Sequence, residues 1–323
     1  MKIGLITANA KVLDTYFPTK EEPELRSTEP PFTPDDQLLV NHLRKVYGFV
    51  VDAVIWGCEV NGLKHYDAFI IRSPWDYMDN SQKREAFFQW LKELDRLKIP
   101  IFNDLKILNW LLDKHYLKDF SQAGINIVPT QFIEKGQAID LDEVYKKKGP
   151  FIIKPCISAA GIGLRYISSS EIARHQQASI EEELQTVGFM IQDFLGDIKT
   201  NGEWSLIFFE GEYSHSVLKK PAEDNILVQG EYGGTLTFSQ APEDIISFGK
   251  NVISSIKEAY KNYAPTEICK ETLYLRVDII NSGSKYYLSE LEGVEPELFF
   301  RAKKGSEELF ADRFIQLFKK ARN

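Results

Sequence analysis

The chain has 323 residues, of which 43% are hydrophobic and 27% charged, and this length predicts two or three compact subdomains. Its net charge of -8 argues against a nucleic-acid partner, although a locally basic cleft would still hold nucleotide phosphates. The three cysteines are widely spaced, which argues against a disulfide framework or a zinc site and predicts a cytoplasmic protein. The amino-terminal residues do not resemble a signal peptide, and no apolar run is long enough to predict a membrane span.

The first hundred residues alternate strand-like and helix-like segments, which predicts an α/β domain with a parallel sheet covered on both faces. Apolar runs predict strands at 2–8, 50–56, 67–73 and 99–103. Amphipathic spacing predicts helices at 35–47 and 82–98. Residues 9–34 contain several prolines and little periodicity, and they predict a long loop or a substrate flap.

The middle of the chain predicts a small unit of about eighty residues between two larger halves. Residues 103–124 predict one continuous helix that ends at Gly124. The other expected elements are an extended segment at 125–133, a strand at 151–155, a helix at 171–187 and a strand at 189–195.

The last third predicts a mainly antiparallel lobe. Residues 204–220 predict a hairpin that turns at Glu210 and Gly211, followed by a glycine-containing loop at 228–237. The remaining expected elements are a helix at 245–260, strands at 272–280 and 285–294, and a helix at about 305–321.

Three acidic residues fall in the last predicted hairpin. Asp278 lies on its first strand, and Glu290 and Glu292, two residues apart, face the same side of the second. If strand pairing brings Asp278 beside them, the oxygen-only set fits a hard cation such as Mg²⁺ or Mn²⁺. The alternative is that these acids alternate outward into solvent on an edge hairpin.

Lys154 closes the apolar strand FIIKP and precedes a turn of small residues, 156–167. Such a turn lets backbone N–H groups approach phosphates while a lysine supplies charge, but an isolated turn of this kind is also common as a structural element. Neither GxxxxGK[ST] nor a GxGxxG that opens a helix is present. Lys114 on the preceding helix would by itself be read as a solvated lysine.

Two arginines are further candidates. Arg72 ends a predicted parallel strand, where its side chain would either bind a substrate carboxylate or form a structural ion pair with Asp76. Arg276 shares a strand face with Asp278 and would contact a phosphate or neutralise the acids. His215 is interpreted as structural, and GxSxG and HExxH motifs are absent from the sequence.

In chain order, the motifs resemble those of the ATP-grasp superfamily, in particular its glutathione synthetase-like and RimK-like branch and the group that contains the D-cycloserine-forming ligase. The matching segments are RSPWDY, Asn109-Trp110 with Asp113-Lys114, VPT, FIIKP, MIQDFL, GEWSLIFF, YSHSVLK and YLRVD with LSELEGVEPELFF. The resemblance implies an α/β, ATP-grasp (α+β) fold with a domain at 1–112, a central lid at 113–190 and a lobe at 191–323.

The resemblance also implies a role for each matching position. Lys114 and Lys154 would contact the phosphates of ATP, and a loop with Ser158, Gly161 and Gly163 would close over them. The adenine and ribose would be held by Gln192, Asp193, Leu195 and Glu203. Two magnesium ions, or manganese, would be bound by Asp278, Glu290 and Glu292, and catalysis would involve Arg276, Lys154 and Arg72. The acceptor substrate would face Arg72, Ser73, Gln229, Gly233 and Gly234.

Two positions depart from the family pattern. Glu292 stands where Asn is common in the superfamily, which adds negative charge to the metal site. Ser205 stands where glutathione synthetases carry an arginine, which argues against glutathione as the product.

The function implied is an ATP-dependent ligase that joins a small carboxylate to an amine through an acyl phosphate, releasing ADP and phosphate. Two alternatives stay open: an intramolecular, cyclising ligase and a nucleotide-binding regulatory protein without turnover. Neither nucleic acid nor a membrane is expected as partner, and the sequence leaves a homo-oligomer open.

Overall fold

We describe the protein from a computed structural model, which covers residues 1–16, 31–159, 161–223, 225–228, 233–267 and 269–322. Three sheets, one from each third of the chain, organise the fold. None of the helices within these ranges is long and apolar enough to cross a membrane.

The amino-terminal third forms a four-stranded parallel sheet. Its elements are β1 (Lys2–Thr7), α1 (Ala10–Tyr16), α2 (Pro34–Tyr47), β2 (Val50–Ile55), β3 (Ala68–Ser73), α3 (Ser81–Asp95), β4 (Ile101–Phe102) and α4 (Leu105–Leu112). The strand order is β2-β1-β3-β4. Single-turn 3-10 helices cover Val60–Leu63 and Trp75–Met78. The parallel sheet with flanking helices confirms the architecture expected from the alternating pattern.

The central third is built on a smaller antiparallel sheet. Its elements are α5 (Tyr116–Gln122), β5 (Thr130–Ile133), α6 (Leu141–Lys148), β6 (Phe151–Pro155), β7 (Arg165–Ile167), α7 (Ser170–Leu184) and β8 (Phe189–Asp193). The strand order is β5-β8-β6-β7, and α6 and α7 pack on one face around Phe151, Ile180 and Phe189.

The carboxyl-terminal third contains a five-stranded antiparallel sheet. Its elements are α8 (Ile198–Asn201), β9 (Glu203–Phe209), β10 (Glu212–Lys220), β11 (Thr235–Phe238), α9 (Glu243–Tyr263), β12 (Tyr274–Ser282), β13 (Lys285–Glu292), a 3-10 helix at Phe300–Ala302 and α10 (Ser306–Arg322). The strand order is β11-β10-β9-β12-β13. The predicted hairpin turn at Glu210 and Gly211 is confirmed, and both residues adopt positive φ there.

The last helix returns to the first domain and joins the two ends of the chain. α10 packs against α2, and one apolar cluster contains residues of the parallel sheet, β9 and α10. Asn103, 1% exposed, links β4 to the antiparallel sheet: its side chain donates to the carbonyls of Tyr274 and Gly293 and accepts from the Leu273 amide. These bonds hold β3 and β4 at a fixed distance from β12 and β13.

The structure corrects two expectations about elements. The continuous helix expected over 103–124 is wrong, because Asp113 is extended and separates α4 from α5. The loop expected over 9–34 is wrong at its start, where the Asn9 side chain accepts from the Val12 amide and initiates α1. Residues 17–30 lie outside the described part of the chain. Residue 190, the expected end of the central lid, lies within β8 of the central sheet, and the division into domains stays a prediction.

Candidate active site

A cavity of about 740 Å³ lies where the three parts of the chain meet. Its walls come from the end of β6 and the following turn, the end of β8, strands β9, β10, β12 and β13, and the 3-10 helix after β3. Apolar side chains such as Ile152, Leu195 and Ile280 share these walls with a dense set of charged groups. A mixed lining of this kind is typical of a site for a small molecule that has both an apolar and a charged end.

A β-bulge in the last hairpin aligns the acidic residues. Between the turn and Ile279, β12 and β13 pair in one register, with Ile279 opposite Leu288. The preceding residue of β12, Asp278, lies opposite Glu290, so Ser289 is the extra residue of the bulge. Arg276 then lies opposite Glu292. Without the extra residue, Asp278 would face Ser289 and the acids of β13 would point to the other side of the sheet. The bulge therefore places Asp278, Glu290 and Glu292 on the cavity side together, where all three line it.

Each of these three carboxylates is held by basic side chains. Asp278, 2% exposed, accepts from Arg276 Nε at 3.0 Å and Nη2 at 2.9 Å, and from Ser205 Oγ at 2.5 Å. Burial opposes its ionisation, but Arg276 and Lys219 outweigh this effect and lower the pKa of Asp278 to about 2. Asp278 is therefore ionised at neutral pH.

Glu290 is held by the two lysines that the sequence singled out. Lys154 Nζ lies 2.6 Å and Lys114 Nζ 3.9 Å from Glu290 Oε1. Although burial opposes ionisation, the two lysines lower the pKa of Glu290 to about 2. The residues that were expected to bind phosphates and metal thus form one continuous charged cluster.

The third acid of the hairpin, Glu292, and the nearby Glu295 have raised pKa values. Glu292 pairs with Arg276, but burial, opposed by Arg276, and repulsion from Asp278 and Glu290 raise its pKa to about 7. Burial and the charge of Glu292 raise the pKa of Glu295 to about 8. The Tyr77 hydroxyl donates to Oε1 of Glu295, whereas its buried Oε2 has no hydrogen-bond partner within the described ranges.

The break between α4 and α5 brings Lys114 into the cavity. The extended backbone at Asp113 lets the Lys114 amide donate to the Cys156 carbonyl at 2.8 Å, and its side chain donates to the Ser158 carbonyl at 2.5 Å. On a continuous helix Lys114 would be an ordinary surface residue; here it is 6% exposed. The interpretation of Lys114 as a solvated lysine is thereby excluded.

Lys219 lines the cavity, but it was not predicted from the sequence as a site residue. Its ammonium group lies 2.8 Å from Glu203 and 3.4 Å from Asp278, and both acids raise its pKa against the effect of burial. A bulge between Tyr213 and His215 shifts the β9–β10 register by one and places Lys219 opposite Glu203. A regular hairpin turning at Glu210 and Gly211 would pair Lys219 with a different residue, so the sequence pattern gave no signal for this contact.

The donor set fits a hard divalent cation. Asp278, Glu290 and Glu292 offer only oxygen, the ligand type that Mg²⁺ prefers. The described lining carries seven acids against five basic groups: Asp193, Glu203, Asp278, Glu290, Glu292, Glu295 and Glu297 against Lys114, Lys154, Lys219, Arg276 and Arg301. Burial, and after it repulsion between neighbouring carboxylates, raises the pKa values of Glu292 and Glu295, and added positive charge would oppose both effects.

Most residues expected to hold the nucleotide line the cavity. This set consists of Lys114, Lys154, Ser158, Gly161, Gln192, Asp193, Leu195 and Glu203. Gln192 is fixed by its place between β5 and β6 and by a bond from its side chain to Thr130 Oγ1. Gly163 is absent from the lining; its φ is +76°, and an added Cβ would lie 2.8 Å from Pro155 Cγ. Gly163 thus lets the turn pack on the end of β6.

The residues expected at the acceptor side are placed differently. Arg72 is buried behind the cavity wall, where it donates to Asp36 Oδ1 at 2.9 Å and to the Pro296 carbonyl at 3.0 Å. Ser73 donates to the other oxygen of Asp36, and neither residue belongs to the lining. The ion pair expected as the alternative, between Arg72 and Asp76, is not formed; Arg72 pairs with Asp36 instead.

Two loops supply the remaining positions near the expected acceptor side. Trp75 and Tyr77, directly after β3, reach the cavity instead of Arg72. Gly234 belongs to the lining and Gly233 does not, while Gln229 lies outside the described residues.

His215 is structural, as expected from its strand context. Its ring contacts Ser214 Oγ and the Leu298 carbonyl, each at 2.9 Å, and burial lowers the pKa of His215 to about 4. The uncharged ring thereby fixes the segment after β13 that carries Glu295.

Comparison with known proteins gives matches in both sequence and structure. Residues 19–103 match the family model described as D-cycloserine synthetase DcsG, N-terminal domain. The cycloserine biosynthesis protein DcsG of Streptomyces lavendulae is 23% identical over 188 residues. That match spans 54% of this chain and 59% of the relative, so it covers less than two thirds of the relative's length.

Solved structures match over almost the whole chain. D-cycloserine synthetase DcsG superposes with a TM-score of 0.75 at 18% identity, covering 98% of this chain and all of that one. A RimK domain ATP-grasp protein from Sphaerobacter thermophilus superposes with a TM-score of 0.62 at 12% identity, covering 98% and 100%. These matches confirm the resemblance predicted from the motifs: the chain has the ATP-grasp fold, and its similarity extends to the D-cycloserine synthetase group.

Proposed function

We propose that the protein is an ATP-dependent ligase that activates a small carboxylate as an acyl phosphate and transfers the acyl group to an amine, releasing ADP and phosphate. The observation that carries this proposal is the single charged cluster in which Lys114, Lys154, Lys219 and Arg276 meet Asp278, Glu290 and Glu292 inside one cavity. The ATP-grasp fold supports the same conclusion.

We propose that Asp278, Glu290 and Glu292 hold magnesium with the phosphates of ATP. When bound, the metal would neutralise charge on the phosphates during transfer. The cations that now pair with these acids, Lys154 and Arg276, would then be available to phosphate oxygens. Lys154 and Arg276 are 7% and 9% exposed, so their charges act with little screening by water.

In the proposed first step, an oxygen of the substrate carboxylate forms a bond to the γ-phosphorus, and the bond to the β,γ-bridging oxygen breaks to give ADP. Catalysis here consists mainly of positioning and charge stabilisation. Arg276 is suited to the transferring group because Asp278 and Glu292 fix its guanidinium from two sides. In the second step, an amine nitrogen forms a bond to the acyl carbon, phosphate leaves, and the amine loses a proton.

The acyl phosphate must be kept from water between the two steps. The turn after β6 is suited to this role, because it lines the cavity at Ser158 and Gly161 and is fastened to Lys114 through the Ser158 carbonyl. We propose that this turn closes the site on the bound nucleotide.

Glu295 supports a substrate with an ammonium group. Its carboxylate lines the cavity beside Trp75 and Tyr77, at the side contributed by the amino-terminal domain. A buried carboxylate whose pKa is raised, and one of whose oxygens is unpartnered among the described groups, gains from a cationic ligand. We therefore propose an amino acid, or a derivative of one, as the carboxylate substrate.

A cyclising ligase is the second candidate, and the match of residues 19–103 to the D-cycloserine synthetase model favours it. In that case the nucleophile and the activated group belong to one molecule. The regulatory alternative is not favoured, since both expected lysines, Arg276 and the three acids of the last hairpin line the cavity.

A nucleotide-cleavage screen tests the proposal. Mg-ATP is incubated with single amino acids and their ureido, amide and hydroxylamine derivatives, then with pairs, and ADP, AMP and pyrophosphate are measured separately. ADP with a pair supports the intermolecular ligase, and ADP with one compound that yields a ring supports the cyclising one. AMP with pyrophosphate would contradict phosphoryl transfer, and tight Mg-ATP binding without cleavage across the screen would favour the regulatory protein.

A further inference from the structure

A second group of chemically competent side chains lies outside the lining of the nucleotide cavity. Asp113, His115 and Cys156 each contribute one ligand atom to a cluster in which all three atoms lie within 4.8 Å of one another. His115 is in the break between α4 and α5, and Cys156 directly follows β6. Sequence spacing argued against a zinc site because the cysteines are far apart, but this cluster needs only one of them.

The His115 ring is held in one orientation. Asp113 Oδ1 lies 2.5 Å from Nδ1 and also accepts from the His115 amide at 3.0 Å. The ring stacks on Phe132 with centroids 4.5 Å apart and an interplanar angle of 24°. A carboxylate on one imidazole nitrogen is the usual arrangement behind a metal-binding histidine, because it fixes the tautomer and leaves the other nitrogen for the metal.

The other ring nitrogen, Nε2, is buried. Nε2 has no hydrogen-bond partner within the described ranges, although Glu134 Oε1 lies 3.5 Å away. A metal ion bound at Nε2 would satisfy this buried nitrogen.

We propose that Cys156 and His115 form a site for a soft divalent metal such as Zn²⁺, with Asp113 orienting the ring and Glu134 Oε1 3.5 Å from Nε2. Thiolate and imidazole ligands select zinc over magnesium, whereas the oxygen-only set in the nucleotide cavity has the opposite preference. The two sites would therefore not compete for the same ion.

The site has a route to solvent and a mechanical link to the nucleotide lysines. A second cavity of about 530 Å³ is lined by Asp113, His115 and Ile157, which gives an ion access. His115 follows Lys114, Cys156 is two residues after Lys154, and the Lys114 amide donates to the Cys156 carbonyl. A metal on Cys156 and His115 would cross-link the two segments that carry these lysines and hold both in the arrangement seen here.

Cobalt substitution tests the site directly, because only a thiolate ligand gives a sulfur-to-Co²⁺ charge-transfer band in the near ultraviolet. The background is the Cys58→Ser, Cys269→Ser variant, in which Cys156 is the only thiol. We expect Co²⁺ to produce this band at about one equivalent and Zn²⁺ to remove it. Because the proposed ligands are intact in this variant, absence of the band would overturn the proposal.

Two further variants assign the ligands. His115→Gln and Cys156→Ser in the same background should each reduce the band at least about tenfold, while His175→Gln, an exposed residue on α7, should leave it unchanged. Thermal unfolding and Mg-ATP binding of each variant verify the fold. A band that keeps its intensity in folded His115→Gln protein would overturn the assignment.

Discussion

Asp278→Asn is the substitution that most directly separates the proposed chemistry from the fold. Asp278 is 2% exposed and contacts Arg276, Lys219 and Ser205. The exchange keeps the shape of the side chain and removes its charge. It also leaves each cation with another acid, since Arg276 retains Glu292 and Lys219 retains Glu203.

The cost in stability follows from the pKa. A carboxyl whose pKa falls from 3.8 to about 2 on folding stabilises the folded state above pH 3.8, and this contribution is lost as pH falls through the folded value. At neutral pH the contribution is therefore fully present and amounts to about 2 kcal/mol. The free energy of unfolding of a native protein is typically roughly 5–15 kcal/mol, so the variant should remain folded.

The substitution should lower activity strongly. Removing a fixed group that stabilises charge in the transition state typically lowers turnover by at least about a hundredfold. We expect a loss of at least this size in ADP release with the substrate identified by the screen, together with weaker Mg²⁺-dependent nucleotide binding.

Ser205→Ala is the matched control. It removes only the hydroxyl that donates to Asp278, which should cost about 1 kcal/mol of stability and leave kcat/KM within about tenfold. An Asp278→Asn protein that retains kcat/KM within tenfold of the parent at saturating Mg²⁺ would refute the metal and phosphate assignment.

Three further substitutions test other parts of the account. Glu295→Gln should raise KM for the ammonium-bearing carboxylate substrate about tenfold or more while KM for ATP stays constant; a parallel rise for both would contradict the proposed contact between Glu295 and that substrate. Because burial depresses the pKa of His215 from 6.5 to about 4, its neutral form contributes stability that is lost as pH falls from about 6.5 to 4, by up to about 3 kcal/mol. His215→Asn should therefore flatten the decline of unfolding temperature between pH 7 and 4.5, and His175→Asn should not. Gly163→Ala should destabilise the protein by about 1 kcal/mol and lower kcat, since the positive φ and the contact with Pro155 disfavour a side chain; an unchanged unfolding temperature would contradict this.

Much of the fold follows from the sequence pattern because burial imposes regular periodicity on strands and helices. The strand at Phe151–Pro155 and the hairpin at Glu210 and Gly211 are where apolar runs and turn residues predict them. The break at Asp113 was not predicted, because the residues on both sides favour a helix and the break depends on a tertiary bond from Lys114 to Cys156.

In the candidate site, too, features with a local pattern were predicted and features that depend on tertiary contacts were not. The three acids of the last hairpin could be identified from their spacing, but their alignment depends on the bulge at Ser289, which no local rule indicates. Lys219 was missed for an equivalent reason in the neighbouring hairpin. Arg72 was expected at the ligand surface because it ends a parallel strand, yet Asp36 from α2 binds it behind the cavity wall. Such pairings depend on long-range packing and not on local pattern.

The central claim, that a carboxylate is activated as an acyl phosphate, is tested most directly by trapping with hydroxylamine. The protein is incubated with Mg-ATP, hydroxylamine and the candidate carboxylates, and the hydroxamate and ADP are measured together, with Lys154→Met as the matched inactive control. We expect equal amounts of hydroxamate and ADP from the parent protein and neither from the variant. Hydroxamate accompanied by AMP and pyrophosphate would contradict this claim.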